Sequence, residues 1–124
     1  MLLQAASVLI VERQPRVVVP LVRSLSNEGA YVAIAPNARE AFNLCRRGSF
    51  DIVITTSGLP DASVDVFIRA IRAIDGMTVI VVTDGGERPS MKLHEFGADF
   101  VLSKPIDPAS VLAFLRNYET RRAA

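Results

Sequence analysis

Residues 8–11 read VLIV, and they are the first of five short apolar runs that decide the predicted fold. The other runs are YVAIA at 31–35, IVIT at 52–55, MTVIVV at 77–82 and FVL at 100–102. All are rich in β-branched residues and nearly continuous rather than alternating. That pattern is typical of strands buried on both faces of a parallel sheet.

Helical patterns separate these runs. Apolar residues share one helical face in four segments: Val17, Val18, Leu21, Val22 and Leu25; Ala38, Ala41, Phe42 and Cys45; Val64, Phe67, Ile68 and Ile71; and Val111, Leu115 and Tyr118. A weaker pattern covers residues 87–96. Because Pro20 has no backbone N–H to donate, we expect the first helix to be kinked or to start late.

Local sequence signals agree with these boundaries. Pro15 and Pro108 suit the first turn of a helix, and Asp107 is a candidate N-cap for the last helix. Three glycines each follow a helical run, where a left-handed residue can end a helix: Gly29, Gly48 and Gly97.

Alternating strands and helices predict a doubly wound α/β domain with a parallel sheet and helices on both faces. Together with the motifs at the ends of the strands, they predict the flavodoxin-like strand order 2-1-3-4-5. We predict a single domain over residues 1–124, with its core at 7–118 and a C-terminal tail or linker start at 119–124. Ligands of such sheets bind at the carboxyl ends of the strands. The candidate site therefore includes the residues that follow strands one, three, four and five.

The composition excludes several classes of protein. Half of the 124 residues are hydrophobic and the net charge is +1, which excludes bulk disorder and a general nucleic-acid polyelectrolyte. Cys45 is the one cysteine, so it forms no internal disulfide and suits a small buried residue in a reducing compartment. No stretch predicts a membrane span or a signal peptide, and we expect a cytoplasmic protein.

Four motifs in order carry a resemblance to a known family. They are VLIVER at 8–13, DIVITTSGLP at 51–60, VIVVTD at 79–84 and GADFVLSKP at 97–105. Together they resemble the receiver domain of two-component response regulators, over residues 7–118. The resemblance implies a module of phosphorelay signal transduction. In that family, an aspartate accepts a phosphoryl group beside Mg²⁺, which two acidic residues after strand one help to hold.

The chain departs from the family at the phosphoacceptor. Thr56 stands four residues before Pro60, where the family has aspartate, and Glu12 is followed by Arg13 rather than by a second acid. Thr83 and Lys104 match the family, whereas Val101 replaces the usual aromatic switch residue. The chain therefore resembles an atypical receiver, or pseudo-receiver.

The resemblance assigns six positions to a degenerate phosphoacceptor pocket: Glu12, Arg13, Thr56, Thr83, Asp84 and Lys104. We expect no catalytic residue, no enzymatic activity, no cofactor, and weak or absent Mg²⁺ binding. Arg13 could fill the space of the cation and pair with Glu12 or Asp84. Lys104 could form a structural ion pair with the same carboxylates.

Other interpretations of the same residues stay open. One alternative is a receiver regulated by phosphorylation at a non-standard residue, with Thr56 as a kinase target. Another is a small flavodoxin-like enzyme or ligand-binding domain. No glycine-rich phosphate loop follows the first strand, which argues against nucleotide binding.

The expected role is contact with a protein partner or with a second copy of the chain. Family resemblance points to the face formed by the helix predicted at 87–96, the fifth strand and the last helix, whose charges are of both signs. A homodimer and a monomer are both open, and we expect no membrane or direct nucleic-acid contact. Four arginines are interpreted as solubilising: Arg46, Arg47, Arg69 and Arg72.

Overall fold

The computed structural model describes residues 5–74, 78–83, 97–103 and 107–123. Within them, five parallel strands form one sheet in the order β2-β1-β3-β4-β5. The strands are β1 (Ser7–Val11), β2 (Tyr31–Ala35), β3 (Ile52–Thr56), β4 (Thr78–Thr83) and β5 (Phe100–Ser103). The predicted strand order is confirmed, and each strand lies within one residue of its predicted start.

The described helices are α1 (Pro15–Asn27), α2 (Ala38–Arg47), α3 (Val64–Arg72) and a C-terminal helix (Pro108–Ala123). The C-terminal helix continues beyond Tyr118, so its predicted end is too early. Of the two alternatives for α1, a kink or a late start, the late start is wrong, because the helix begins at Pro15 and includes Pro20. Pro20 is exposed, so water can satisfy the carbonyl that its missing N–H leaves without a partner.

The core has two layers, one on each face of the sheet. On one face, α2 and α3 pack against alternate residues of the central strands, including Leu9, Val11 and Val53. On the other face, α1 and the C-terminal helix pack against Val8 and Ile54 and their neighbours. The predicted apolar faces of the first three helices are confirmed, as is the burial of Cys45.

The strands differ in burial according to their place in the sheet. β3 is buried along its whole length, and β1 is buried except at Ser7. β2 lies at an edge, where the side chains of Tyr31 and Ile34 are 68% and 48% exposed. The prediction of burial on both faces is therefore wrong for β2, because an edge strand has a neighbour on one side only.

The helix-terminal signals are mostly confirmed. The Asp107 carboxylate accepts hydrogen bonds from the backbone N–H of Ala109 and from the hydroxyl of Ser110. Gly29, which follows α1, has a positive φ angle of 87°, as predicted. Gly97 also has a positive φ angle, 114°, but the helix predicted before it lies outside the described residues. Gly48 is the exception: its φ of −152° is extended, so the predicted left-handed end of α2 is wrong.

Several predictions fall outside the described residues, namely the helix at 87–96 and the positions Asp84 and Lys104. The side chains of Thr83 and Tyr118 are likewise outside the description. Among the residues that are described, no helix combines the length and apolarity that crossing a bilayer requires.

Candidate functional site at the carboxyl edge of the sheet

The sheet brings several of the predicted site residues to one edge. Glu12 follows β1 directly, and Thr56 is the last residue of β3. The parallel register pairs Val11 with Thr55, and Thr56 with Val82. The carboxyl ends of β1, β3 and β4 therefore lie side by side at one edge of the sheet. The backbone of Thr83 continues this edge and pairs with Ser103 of β5.

Glu12 organises the turn between β1 and α1. Its side chain is 7% exposed, and its carboxylate Oε2 accepts backbone N–H groups from Arg13 at 3.0 Å and Gln14 at 3.3 Å. Gln14 is the N-cap of α1 and has no side-chain cap of its own. The carboxylate of Glu12 thus stands near the positive end of the helix dipole, where negative charge is stabilising.

Arg13 does not pair with Glu12. Its side chain is exposed, and it forms no ion pair with any residue that the structure describes. The reason is local geometry: the backbone N–H of Arg13 is bonded to the inward-facing Glu12 carboxylate, while the guanidinium stays in solvent. The alternative pairing with Asp84 falls outside the described residues.

Thr56 is buried at the end of β3, with 7% of its surface exposed. Its Oγ1 accepts a hydrogen bond of 3.3 Å from the backbone N–H of Gly58, a local turn typical of threonine. The hydroxyl of the preceding Thr55 donates to the carbonyl of Thr56 at 3.1 Å. Both threonines therefore help to shape the start of the loop after β3.

A cavity of about 10 Å³ lies between this edge and α1. Its lining includes Glu12, Thr55, Thr56, Val17 and Leu21. This volume is near the minimum that one water molecule needs. The cavity therefore holds at most about one water molecule.

The loop between β3 and α3 is held by a residue that sequence reasoning missed. The Asp61 carboxylate accepts the backbone N–H of Ala38 at 2.9 Å and that of Arg39 at 3.0 Å, at the first turn of α2. Hydrogen bonds from Ala38, and then from Arg39, lower the pKa of Asp61 below its ordinary value.

The N-cap residue of α2, Asn37, satisfies further backbone groups at the start of this helix. The Asn37 side chain accepts the N–H of Glu40 at 2.9 Å, and the Asn37 carbonyl accepts the N–H of Ala41. Asp61 and Asn37 together thus satisfy the N–H groups of Ala38, Arg39 and Glu40, which have no intrahelical partners. Asp61 follows Pro60 within the loop motif, but its contact spans 23 residues and no local pattern signals it.

Arg72 has a second unpredicted role. Its Nε donates to the carbonyl of Gly97 at 2.8 Å, and its guanidinium forms an ion pair with Asp99. Arg72 thus joins the end of α3 to the segment that enters β5. The interpretation of Arg72 as merely solubilising is wrong, because a side chain at the end of a helix can reach a neighbouring loop.

Val101, the predicted switch position, lies in β5 and is partly buried against the layer formed by α2 and α3. The aromatic residue beside it, Phe100, packs on the opposite face. Its ring meets that of Phe114 edge to face, with centroids 4.2 Å apart. Phe100 therefore belongs to the core rather than to the candidate pocket.

The fold and the residues at its carboxyl edge define a receiver-type regulatory domain. Comparison with protein families agrees: the response regulator receiver domain matches residues 8–116. The chain belongs to this family.

A curated relative is the transcriptional regulatory protein CusR of Escherichia coli K12, which is 32% identical over 118 residues. The match covers 94% of this chain and 52% of CusR. A probable transcriptional regulator, ycf29 of Porphyra purpurea, is 30% identical over 97 residues, which are 75% of this chain and 46% of the relative. The chain thus spans about half the length of these relatives.

Solved structures show the same fold. The receiver domain of the TMAO respiratory system response regulator TorR has a TM-score of 0.87 at 24% identity, covering 94% of this chain and 98% of that one. The receiver domain of the sensor histidine kinase PA1611 from Pseudomonas aeruginosa has a TM-score of 0.82 at 20% identity, with 94% and 98% covered. That structure holds a magnesium ion in its active-site cleft.

Proposed function

We propose that this chain is a receiver-like regulatory module that acts through protein–protein contacts and without aspartyl phosphorylation. The observation that carries the proposal is Thr56, a buried neutral residue at the end of β3, where the family's motif has its phosphoacceptor aspartate. The site of phosphoryl chemistry has been replaced, while the sheet that positions it is retained.

Thr56 is a poor substitute for an aspartate. A carboxylate attacks as an anion, whereas a threonine hydroxyl needs a base to remove its proton. Oγ1 of Thr56 accepts a hydrogen bond from Gly58, so its lone pairs are partly engaged in holding the turn. The carboxylate of Glu12, a candidate base in the described part of the pocket, is itself engaged by two backbone N–H groups.

The residues present also fit Mg²⁺ poorly. This ion prefers carboxylate oxygens combined with the oxygens of a phosphoryl group. At this pocket the described residues offer the single carboxylate of Glu12, with neutral Thr56 and cationic Arg13 in place of the family's other acids. We infer weak or absent Mg²⁺ binding, and no step of the proposed function uses the ion.

The described part of the proposed contact face is β5 and the C-terminal helix. One of its charged residues, Arg116, already forms an ion pair with Glu28 at the end of α1. Arg116 therefore helps to hold α1 against the C-terminal helix. Reversing its charge would break this ion pair within the chain, in addition to any effect on a contact with a partner. Protein contact through this face, with a partner or a second copy, remains part of the proposal.

The test is incubation with a small phosphodonor and Mg²⁺, followed by intact-mass spectrometry. We expect the wild-type mass to be unchanged. A stoichiometric, acid-labile increment of about 80 Da, the mass of one phosphoryl group, would contradict the proposal. An acid-stable increment on Thr56 after treatment with a cell extract would instead favour the alternative of kinase regulation, which the burial of Thr56 opposes.

A matched pair of variants separates the roles of Thr56 and Arg13. Thr56→Asp alone should not restore Mg²⁺ binding, because Arg13 keeps a positive charge beside the pocket. The double variant Arg13→Asp/Thr56→Asp should bind the ion in a calorimetric titration. If the single and double variants bound Mg²⁺ with equal affinity, Arg13 would not be what prevents Mg²⁺ binding.

A further inference from the structure

A groove of about 410 Å³ lies beside the edge strand β2 and along one face of α2. Its lining consists of Ile34, Pro36, Glu40, Asn43, Leu44 and Arg47. The groove shares no lining residue with the cavity beside Glu12 and Thr56, and neither the phosphoacceptor motif nor the proposed contact face includes it. Nothing in the function proposed above gives it a role.

The α2 side of the groove has an ordered charge pattern. Glu40, Asn43, Leu44 and Arg47 follow the spacing i, i+3, i+4, i+7, which places them on one face over two helical turns. Glu40 and Arg47 are exposed, and neither forms an ion pair with a residue that the structure describes. At 1.5 Å per residue they are about 10 Å apart along the helix, too far to pair with each other.

This pattern is complementary to itself. In a twofold-symmetric dimer every contact occurs twice. If residue i of one copy touches residue j of the other, then residue j of the first copy also touches residue i of the other. If two copies of α2 pack antiparallel with the axis between Asn43 and Leu44, Glu40 of each copy faces Arg47 of the other. Both charges are then paired, and the half-buried Leu44 lies at the centre of the contact.

The edge of the sheet supports the same arrangement. Ile34 is 48% exposed at the groove, although β-strand residues of this size are usually covered. An exposed apolar edge strand is a surface that proteins normally protect or pair. A second copy packed on α2 would cover Ile34 together with Leu44.

We propose that the groove between β2 and α2 is a twofold self-association surface, in which Glu40 and Arg47 form two reciprocal ion pairs between copies. The surface is small and its charges are at the rim, so the dimer is weak and reversible. The proposal is independent of the state of the phosphoacceptor pocket. It also uses a different face from β5 and the C-terminal helix.

The test is sedimentation equilibrium over a concentration series up to the order of 1 mM, a range that includes weak complexes. Wild type should dimerise, and more weakly at high salt. Glu40→Arg or Arg47→Glu alone places like charges opposite each other twice, so each should weaken association at least about tenfold. The double variant Glu40→Arg/Arg47→Glu restores both pairs and should dimerise again.

The most decisive experiment mixes the two single variants. A heterodimer of Glu40→Arg with Arg47→Glu has both pairs complementary, so an equimolar mixture should associate although neither variant does so alone. Arg23→Glu, an exposed charge reversal on α1, serves as the matched control and should leave association unchanged. Circular dichroism checks that every variant is folded.

Three results would overturn the proposal. The first is a wild type that stays monomeric throughout the series. The second is a dimer that is insensitive to both reversals, which would place the interface elsewhere. The third is a mixture of the single variants that fails to associate, since the two-fold pairing of Glu40 with Arg47 requires it.

Discussion

Two carboxylates at the carboxyl edge of the sheet use the same chemistry in different ways. Glu12 accepts two backbone N–H groups from its own turn, one and two residues ahead in the chain. Asp61 also accepts two N–H groups, but these belong to α2, more than 20 residues earlier. One carboxylate shapes a local turn, whereas the other joins two separate elements.

The contrast extends to their surroundings. In the candidate pocket, Thr56 bonds to a residue two positions away. Outside it, Arg72 bonds to Gly97 and Asp99, and Glu28 pairs with Arg116 across 88 positions. These contacts join the end of α3 to the start of β5 and the end of α1 to the C-terminal helix, at the opposite edge of the sheet from the pocket. We therefore expect substitutions in the pocket to cost less stability than substitutions at these long-range contacts.

The largest expected effect comes from a substitution at one of the long-range contacts. Gly97 has a φ of 114°, and a Cβ there would lie 3.0 Å from Cγ of Arg72. Gly97→Ala should lower the free energy of unfolding by about 2 kcal/mol, from backbone strain and crowding together. Urea denaturation measures this change.

Gly48→Ala is the matched control, since its φ of −152° suits alanine and no atom lies within 4 Å of the added Cβ. It should be neutral, or stabilise by at most about 1 kcal/mol. Equal losses at Gly97 and Gly48 would contradict the importance of the contact with Arg72.

A somewhat smaller loss is expected from Arg72→Met, which keeps an apolar stem but removes the donors to Gly97 and Asp99. The expected decrease is about 1–2 kcal/mol, because charge-assisted hydrogen bonds in a partly buried site are worth this much. Arg23→Met on α1 is the control. A double-mutant cycle with Asp99→Asn should give a coupling energy, and additive losses would show that the pair contributes nothing.

The pH dependence of stability tests Asp61. Hydrogen bonds from Ala38 and Arg39 lower the pKa of Asp61 in the folded chain. A lowered folded pKa gives stability that is present above the unfolded value near 3.9 and is lost as the pH falls through the folded value. Asp61→Asn should reduce the acid-side slope of the melting temperature below about pH 4. If the slope of melting temperature against pH were the same in Asp61→Asn as in wild type, the hydrogen bonds from Ala38 and Arg39 to Asp61 would not stabilise the fold.

The smallest effect is expected within the pocket itself. Thr56→Val keeps the shape of the side chain and removes its hydroxyl, which accepts a long hydrogen bond of 3.3 Å from the N–H of Gly58. We expect a loss of less than about 1 kcal/mol in thermal denaturation. A loss as large as that of Gly97→Ala would remove the difference between the pocket and the long-range contacts.

The sequence predicted the apolar helix faces from short-range periodicity, and the strand order from the alternation of strands and helices together with the motifs at the strand ends. Glu12 and Thr56 were likewise located by their positions at strand ends. Asp61 and Arg72 were not predicted, because their partners are distant in sequence and no spacing rule connects them. The extended Gly48 was missed for a related reason: a glycine after a helix permits a left-handed turn but does not require one.

The most direct test of the central claim is an amide NMR titration with Mg²⁺ and beryllofluoride, which mimics a phosphoryl group on aspartate. The double variant Arg13→Asp/Thr56→Asp serves as the positive control and should show saturable shifts at the carboxyl edge of the sheet. In wild type, the backbone amides of Arg13 and Gly58, which report on Glu12 and Thr56, should keep their positions. Saturable shifts of these amides in wild type would contradict the account.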